Sequence, residues 1–174
     1  MKKLLLLLLI GGMISCDPVL TEYDTSIDFS QYKTFCWLEG CAFTFTGPAY
    51  LDDSVVQSLV KESIISTLQK KGIRYNDTNP DLLVDFHITI ENEKAIYYHG
   101  VQDDPYYYRT TFLQPEEVNL TKGTLLIHIV DRQRSEVIWQ SYAAGYLQDP
   151  PDLSDKNIQR GIARVLKDFP PSKK

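Results

Sequence analysis

Long apolar segments and clusters of positive charge are both scarce in this sequence of 174 residues. The longest run of apolar or small residues, Leu4–Ile14, would span only about 16 Å as a helix, whereas a membrane-spanning helix must cross a hydrocarbon core of about 30 Å. The chain has 23 acidic residues against 18 basic residues, and Lys173 and Lys174 form only a short basic tail. This balance disfavours nucleic acid and anionic lipid headgroups as partners.

The motifs of common catalytic sites are missing as well. The chain contains no Gly-x-Ser-x-Gly elbow, no phosphate-binding loop and no His-Glu-x-x-His zinc motif. Its paired carboxylates are neighbours in sequence, so the two members of a pair would not share a face in a helix or strand. These pairs are Asp52 and Asp53, Asp103 and Asp104, and Glu116 and Glu117. We therefore expect no enzymatic activity and no cofactor, with a metal-dependent hydrolase as the less favoured alternative.

The N-terminus, in contrast, carries a clear pattern. Lys2 and Lys3 precede the apolar run, and the small residue Ser15 precedes Cys16. This segment resembles a bacterial lipobox, although Met13 stands where leucine is usual. The resemblance implies a signal peptide at residues 1–15, cleavage before Cys16, and lipidation of Cys16 with diacylglycerol and a fatty acid such as palmitate. The alternative is an ordinary secretory signal in which Cys16 has no special role.

Export would change the net charge of the chain, and it would also decide whether the remaining cysteines can form a disulfide. Loss of Lys2 and Lys3 leaves 16 basic residues against 23 acidic residues, a formal charge of −7. Cys36 and Cys41 are then the two remaining thiols of a chain outside the cytoplasm, where a disulfide closing a tight loop is permitted. Two buried free thiols are the alternative.

The rest of the chain predicts one folded domain. We expect residues 16–28 to be the lipidated cysteine and a tether, since they show no periodicity, and residues 29–171 to form an α+β domain. The alternation of Leu82–Ile90 predicts a half-buried strand, and apolar residues at helical spacing after Asp52 or Asp53 predict a helix capped by Gly72. The predicted order, roughly β-α-β-β-β-α, gives a mainly antiparallel sheet of four or five strands with two helices on one face. The predicted segments are strands Lys33–Leu38, Leu82–Ile90, Thr124–Val130 and Val137–Ala144, an aromatic hairpin within residues 91–122, and a final helix from Ser154 to Phe169.

Several phrases in this domain are similar to one family. They are the segment Asp28-Phe29-Ser30-Gln31-Tyr32-Lys33-Thr34-Phe35 with Trp37, the pair Lys71-Gly72, the segment Pro80-Asp81-Leu82-Leu83-Val84, Gly123-Thr124-Leu125 with Asp131, Trp139, and Phe169-Pro170-Pro171. Together they resemble the bacterial lipoproteins grouped as domain of unknown function 4136, over about Asp28 to Pro171. His128 departs from that family, which commonly has an acid there. The resemblance implies an α+β lipoprotein and no particular activity.

Three polar side chains are the weak candidates for a metal site. Asp85 and His87 share one face of the predicted strand, and His128 is a possible cross-strand neighbour. Solvated surface residues are the favoured interpretation, so we expect no bound metal.

Aromatic residues offer a possible binding surface instead. Five tyrosines lie on either side of a predicted turn, where their rings would suit contact with protein or glycan. They are Tyr97, Tyr98, Tyr106, Tyr107 and Tyr108. The alternative is that these rings only stabilise a hairpin by cross-strand pairing.

The sequence therefore predicts a lipid-anchored protein of the bacterial cell envelope with a non-catalytic accessory or interaction role. We expect the outer membrane in preference to the inner membrane, and an envelope protein or a glycan as partner. The alternative function is a glycan- or small-ligand-binding module built on the tyrosine-rich hairpin.

Overall fold

The computed structural model describes residues 19–42, 44, 53–101, 112–147 and 151–171. The predicted signal peptide, Cys16, Asp52, the Asp103–Asp104 pair and the tyrosines Tyr106, Tyr107 and Tyr108 lie outside these residues. The strands are β1 (Val19–Tyr23), β2 (Thr34–Trp37), β3 (Arg74–Tyr75), β4 (Leu82–Val101), β5 (Phe112–Asp131) and β6 (Glu136–Leu147). The helices are α1 (Ser54–Lys70) and α2 (Asp155–Val165), with a short 3-10 helix at Phe29–Gln31.

These strands form one sheet in the order β1-β6-β5-β4-β2-β3. The pairs β1–β6, β6–β5 and β5–β4 are antiparallel, whereas β2 runs parallel to both of its neighbours, β4 and β3. The expectation of four or five mainly antiparallel strands is therefore wrong, because the sheet is mixed and has six strands. The parallel pairing follows from the crossover through α1, which returns the chain to the sheet in the same direction.

Helix α1 begins and ends where the sequence provides the necessary groups. The carboxylate of Asp53 accepts hydrogen bonds from the backbone N–H groups of Val55 and Val56 at 2.8 and 3.4 Å. At the other end Gly72 has a φ of +85°, a left-handed conformation that favours glycine. Between them Val60, Ile64 and Leu68 are buried against the sheet.

The alternation of β4 separates the two faces of the sheet. Leu82, Val84 and Phe86 are buried in the core together with Ile127 of β5 and Trp139 of β6. The core continues into α2 through Ile162 and Val165. The face that both helices cover is therefore apolar, and the other face, which we call the open face, carries the intervening residues.

Strands β4 and β5 continue well past the rest of the sheet. The last residue of β6, Leu147, pairs with Thr121, while β4 and β5 remain paired to each other as far as Val101 and Phe112. We call residues 92–101 and 112–120 the hairpin arm. At about 3.3 Å per residue this arm is about 30 Å long.

Strand β1 lies inside the segment for which the sequence predicts a tether. Val19 pairs with Ala143 and Tyr23 pairs with Trp139, so the strand forms one edge of the sheet. Ile27 and Phe29, which follow it, are buried in the core. The folded domain therefore begins within three residues of Cys16.

None of the described helices combines the length and the apolar character that crossing a membrane requires.

Candidate functional site

A row of polar side chains crosses the open face of the sheet. Asp85 of β4 pairs with His128 of β5, which pairs with Gln140 of β6, which in turn pairs with Glu22 of β1. Directly opposed residues share a face, so register alone brings these four side chains into line. The amide of Gln140 donates a hydrogen bond to the carboxylate of Glu22 at 2.6 Å.

The Asp85–His87–His128 cluster lies at one end of this row. His87 Nε2 is 2.7 Å from Asp85 Oδ2, and His128 Nδ1 is 3.9 Å from the same oxygen. The two imidazole rings are 6.0 Å apart. One ligand atom from each residue lies within 4.8 Å of the others, a spacing that a transition-metal ion with imidazole and carboxylate ligands would accept after small side-chain rotations. The sequence candidates are thus brought together.

The surroundings of this cluster are those of an open surface. The side chains of His87, His128 and Asp85 are 37%, 25% and 22% exposed. The small cavity next to Asp85 has a volume of only about 10 Å³. A catalytic metal needs room for a substrate beside its open coordination position. Within the part of the chain that the structure describes, this cluster has ligands for an ion but no adjoining cleft.

A larger cavity lies on the helix-covered face, where the sheet extends past the start of α2. We call it the groove; its volume is about 570 Å³. Small residues form much of its floor: Gly123 of β5 pairs with Gly145 of β6, and Ala143 of β6 lies opposite Leu125 of β5. A Cβ atom added to Gly123 would lie 3.0 Å from Leu147 Cδ1, so the floor has little space for a larger residue. The apolar walls include Ile90, Leu153 and Ile158.

Sequence reasoning did not find the groove. Its residues come from β4, β5, β6 and the start of α2, and only the register of the strands places them together. A visible signal is the run Ala143-Ala144-Gly145, three small residues in a strand that is otherwise built from large side chains. Small residues in a strand often mark the close approach of another group.

The tyrosines of the hairpin arm do not form one flat surface. Tyr97 and Tyr98 are 61% and 58% exposed, but they are consecutive in β4 and therefore point to opposite sides of the arm. Tyr97 lies across from Glu116, and Tyr98 lies across from Pro115. Their two rings thus belong to separate surfaces.

The most buried ionisable pair serves the fold. The hydroxyl of Tyr32 donates a hydrogen bond to Asp131 Oδ2 at 2.6 Å, and Asp131 Oδ1 accepts from the N–H groups of Gln133 and Arg134. Burial and the hydrogen bond to Asp131 raise the pKa of Tyr32 to about 12. Burial alone would raise the pKa of Asp131, but its hydrogen bonds with Tyr32 and the turn outweigh that effect and hold it below the usual value. These contacts close the β5–β6 turn and give both carboxylate oxygens of Asp131 a hydrogen-bonding partner within the fold.

Cys36 and Cys41 form a disulfide in the structure. Cys36 lies within β2 and is fully buried, and Cys41 is the last residue of the turn after that strand, with a φ of +64°. The bond joins the end of β2 to the segment that leads toward α1.

The fold defines the class to which this protein belongs. It is an α+β domain in which one mixed sheet is covered by two helices on one face. The chain belongs to the family described as domain of unknown function (DUF4136), whose profile matches residues 19–171. The family that the sequence phrases indicated is thereby confirmed.

One solved structure supports this fold, and a second is reported beside it only as a similarity. A PDZ domain protein from Parabacteroides distasonis is similar with a TM-score of 0.59 at 19% identity. The match covers 90% of this chain but 36% of that protein, so the chain spans about a third of its length. A PelC dodecamer from Paraburkholderia phytofirmans has a TM-score of 0.46 at 11% identity, with 86% and 94% of the two chains covered. No curated protein matches the sequence.

Proposed function

We propose that this protein is an envelope lipoprotein, anchored to a membrane through Cys16, whose role is non-catalytic contact with a neighbouring envelope protein. The outer membrane is the favoured location. One observation carries the proposal: the first strand of the sheet begins three residues after Cys16.

The short connection limits the distance between the domain and its membrane. Three extended residues reach at most about 11 Å. Val19 would therefore stay within about 11 Å of a lipidated Cys16. A domain held so closely has few available orientations.

The hairpin arm restricts these orientations further. Val19 is level with Ala143, Leu125 and Ile88 across the sheet. Val101, the last residue of β4, lies about 43 Å beyond Ile88 in the direction that the N-terminus of β1 also points. If the arm pointed straight at the bilayer, it would have to enter it.

A two-stranded hairpin is unsuited to the bilayer interior. Its outer N–H and C=O groups would have no hydrogen-bonding partners in hydrocarbon. The arm and its base also carry Glu91, Glu93 and the ion pair between Lys94 and Glu117. The strands therefore run roughly parallel to the membrane surface, with the β1 edge of the sheet nearest to it and the arm reaching sideways.

The surface of the arm fits a protein partner. Ile96 is 62% exposed next to Tyr97 and Tyr98, and large exposed apolar side chains of this kind are typical anchors of protein interfaces. Glu93, Glu116 and Glu117 give the arm an acidic character around these anchors. The complementary partner is an envelope protein with an apolar patch and basic residues close to the membrane surface.

Site-specific photo-crosslinking in cells tests this role. A photoreactive amino acid at Ile96 or at Tyr98 should capture the same envelope protein, and the matched position Val55, which is 63% exposed on α1, should not. Adding Ile96→Lys to the Tyr98 probe should abolish the product. Absence of a product from both arm positions, or equal capture from Val55, would argue against the arm as a contact element.

The alternative is a glycan-binding module, and the exposure of Tyr97 and Tyr98 is the observation that favours it. Ring stacking on a sugar by either tyrosine predicts that glycan-array signals fall in the Tyr97→Ala and Tyr98→Ala variants. An unmodified protein that gives no signal on the array excludes this alternative.

The non-catalytic part of the proposal is tested at the Asp85–His87–His128 cluster. We expect purified full-length protein to contain no stoichiometric metal, since the cluster lies on an open surface. One equivalent of zinc that disappears in His128→Ala would instead favour the metal-dependent hydrolase.

A further inference from the structure

The groove lies at the end of the sheet where the chain would join its lipid. Ala143, which lines the groove, is the direct cross-strand partner of Val19. Cys16 is within about 11 Å of Val19 along the chain. A lipid attached to Cys16 would thus be close to the mouth of the groove without any rearrangement of the sheet.

The lining of the groove suits an unbranched apolar ligand. Ile88, Ile90, Leu125, Leu147, Leu153 and Ile158 supply aliphatic side chains along its length. The small residues Ala143 and Gly145 line the floor beside Gly123, over which the side chain of Leu147 packs. Its volume of about 570 Å³ lies within the range of about 300–1,000 Å³ that is usual for small-molecule sites.

The polar side chains on the α2 side of the groove already have hydrogen-bonding partners, so they do not require a polar ligand. Asn157 and Asp152, which lie on its α2 side, are hydrogen-bonded to each other. The backbone of β5, the central strand of the floor, is paired on both sides, with β4 and with β6. An aliphatic chain can therefore cover the exposed apolar surface without stranding a donor or an acceptor.

We propose that the groove binds one acyl chain of the lipid attached to Cys16. This inference rests on the proposed lipidation. A lipidated cysteine carries more than one acyl chain, so one chain can lie in the groove while the remaining chains hold the protein on the bilayer. The contact would fix the β1 edge against the membrane and give the arm a defined direction.

Photo-labelling of the full-length lipoprotein tests the proposal. Cells are fed a fatty acid that carries a diazirine, the protein is purified with its lipid and irradiated, and crosslinked peptides are identified by mass spectrometry. We expect crosslinks from the Cys16 lipid to Leu125, Leu147 or Ile158. Ile90→Trp, which fills the groove, should lower their yield at least fivefold.

Thr89→Trp is the matched control, because Thr89 is the neighbouring residue of β4 and is exposed on the open face. It adds the same ring and should leave the yield unchanged. Leu153→Trp, in the loop before α2, fills the groove from another side and provides a second test if Ile90→Trp folds poorly. Circular dichroism establishes that each variant is folded.

The possible failures are distinguishable. A mature N-terminus without lipid overturns the proposed function as well as this inference. Lipid on Cys16 that yields no groove crosslinks, or crosslinks that both tryptophan variants leave unchanged, overturns only the inference. Groove crosslinks to a lipid that is not attached to Cys16 also overturn it, since they identify a membrane lipid or an adventitious additive as the occupant.

Discussion

At the scale of single residues, the Tyr32–Asp131 hydrogen bond has the clearest energetic role. Both residues are buried, at 6% and 5% exposure, and the bond joins the segment before β2 to the β5–β6 turn across 99 positions of sequence. A hydrogen bond to a charged group contributes about 1.5–3 kcal/mol, and its loss leaves a buried carboxylate less well satisfied. This contact explains why the two distant segments lie together at the end of the sheet away from the arm.

We predict that Tyr32→Phe lowers the free energy of unfolding by about 1.5–3 kcal/mol near neutral pH. Tyr75→Phe is the control, because the Tyr75 hydroxyl donates to the backbone oxygen of Cys41, an uncharged acceptor, at 3.0 Å. It should cost about 1 kcal/mol. Equilibrium unfolding in urea measures both, and equal losses would show that the charge of Asp131 is unimportant.

The stability lost in Tyr32→Phe should depend on pH, because folding shifts the pKa values of both Asp131 and Tyr32. The pKa of Asp131 is lowered in the folded protein, so its contribution is present above the unfolded value and is lost as the pH falls. The pKa of Tyr32 is raised to about 12 from 10.0, so its contribution is complete below about pH 10 and is lost as the pH rises toward 12. We predict that the stability difference between wild type and Tyr32→Phe is largest between these limits. A difference that stays constant from pH 3 to pH 11 in urea titrations would contradict the assignment.

At the scale of secondary-structure elements, two glycines should respond differently to replacement by alanine. Gly161 lies inside α2, and a Cβ atom there would meet nothing within 4 Å. Gly161→Ala should therefore stabilise the protein by about 0.5–1 kcal/mol through helix propensity. Gly123→Ala, in β5, would press against Leu147 and should not stabilise it. Thermal unfolding of the two variants provides the comparison, and a destabilising Gly161→Ala would mean that the helix surface is covered.

The hairpin arm should be less protected than the sheet from which it extends. Among the residues that the structure describes, its two strands pair only with each other beyond Leu147, and an isolated two-stranded hairpin is marginally stable in water. We predict that backbone amides of residues 93–98 exchange with deuterium much faster than those of residues 82–88 in the same strand. Mass spectrometry of exchanged peptides measures this. Equal protection in the purified protein would show that the arm is already covered, for example by a second copy.

The elements that sequence patterns predicted are those with strong local signals. The α1 helix has a capping aspartate, a run of apolar residues at helical spacing and a terminal glycine, and these fix its ends near Asp53 and Gly72. The alternation in β4 separates Leu82, Val84 and Phe86 from Asp85 and His87. Such features depend on neighbouring residues and can be read along the chain.

The elements that were missed depend on distant partners. Strand β1 has only five residues and no regular alternation, and it is a strand because β6 offers an unpaired edge. Strand β3 has two residues, which pair with β2 after the α1 crossover. These two strands account for the additional strands in the sheet, and β3 with β2 adds a parallel pair that hydrophobic periodicity does not reveal.

The same distinction applies to the candidate sites. Asp85 and His87 share a strand face by alternation, but the pairing of Asp85 with His128 requires the register of β4 and β5. The groove requires two registers, β4 with β5 and β5 with β6, and the position of α2 as well. The tyrosines illustrate the opposite case, since their density in the sequence suggested one surface while the pleat of β4 places Tyr97 and Tyr98 on two.

At the scale of the whole molecule, the proposed role depends on how the sheet is oriented relative to the membrane. The order of strands places β1 at one edge and β3 at the other, about 24 Å apart at about 4.8 Å per strand. Anchoring through Cys16 would bring the β1 edge to the bilayer, set the groove beside the lipid and direct the arm along the surface. An anchor on a long, loose connection would permit none of this.

Fluorescence quenching on vesicles tests that orientation most directly. A single cysteine at Leu20, on β1, or at Asp77, just after β3, is labelled on the full-length lipidated protein, whose Cys36 and Cys41 are bonded to each other. If the β1 edge lies at the membrane, we expect strong quenching by quencher-bearing lipids at Leu20→Cys, weak quenching at Asp77→Cys, and no vesicle binding after Cys16→Ser. Equal quenching at the two edges, or stronger quenching at Asp77→Cys, would contradict this orientation.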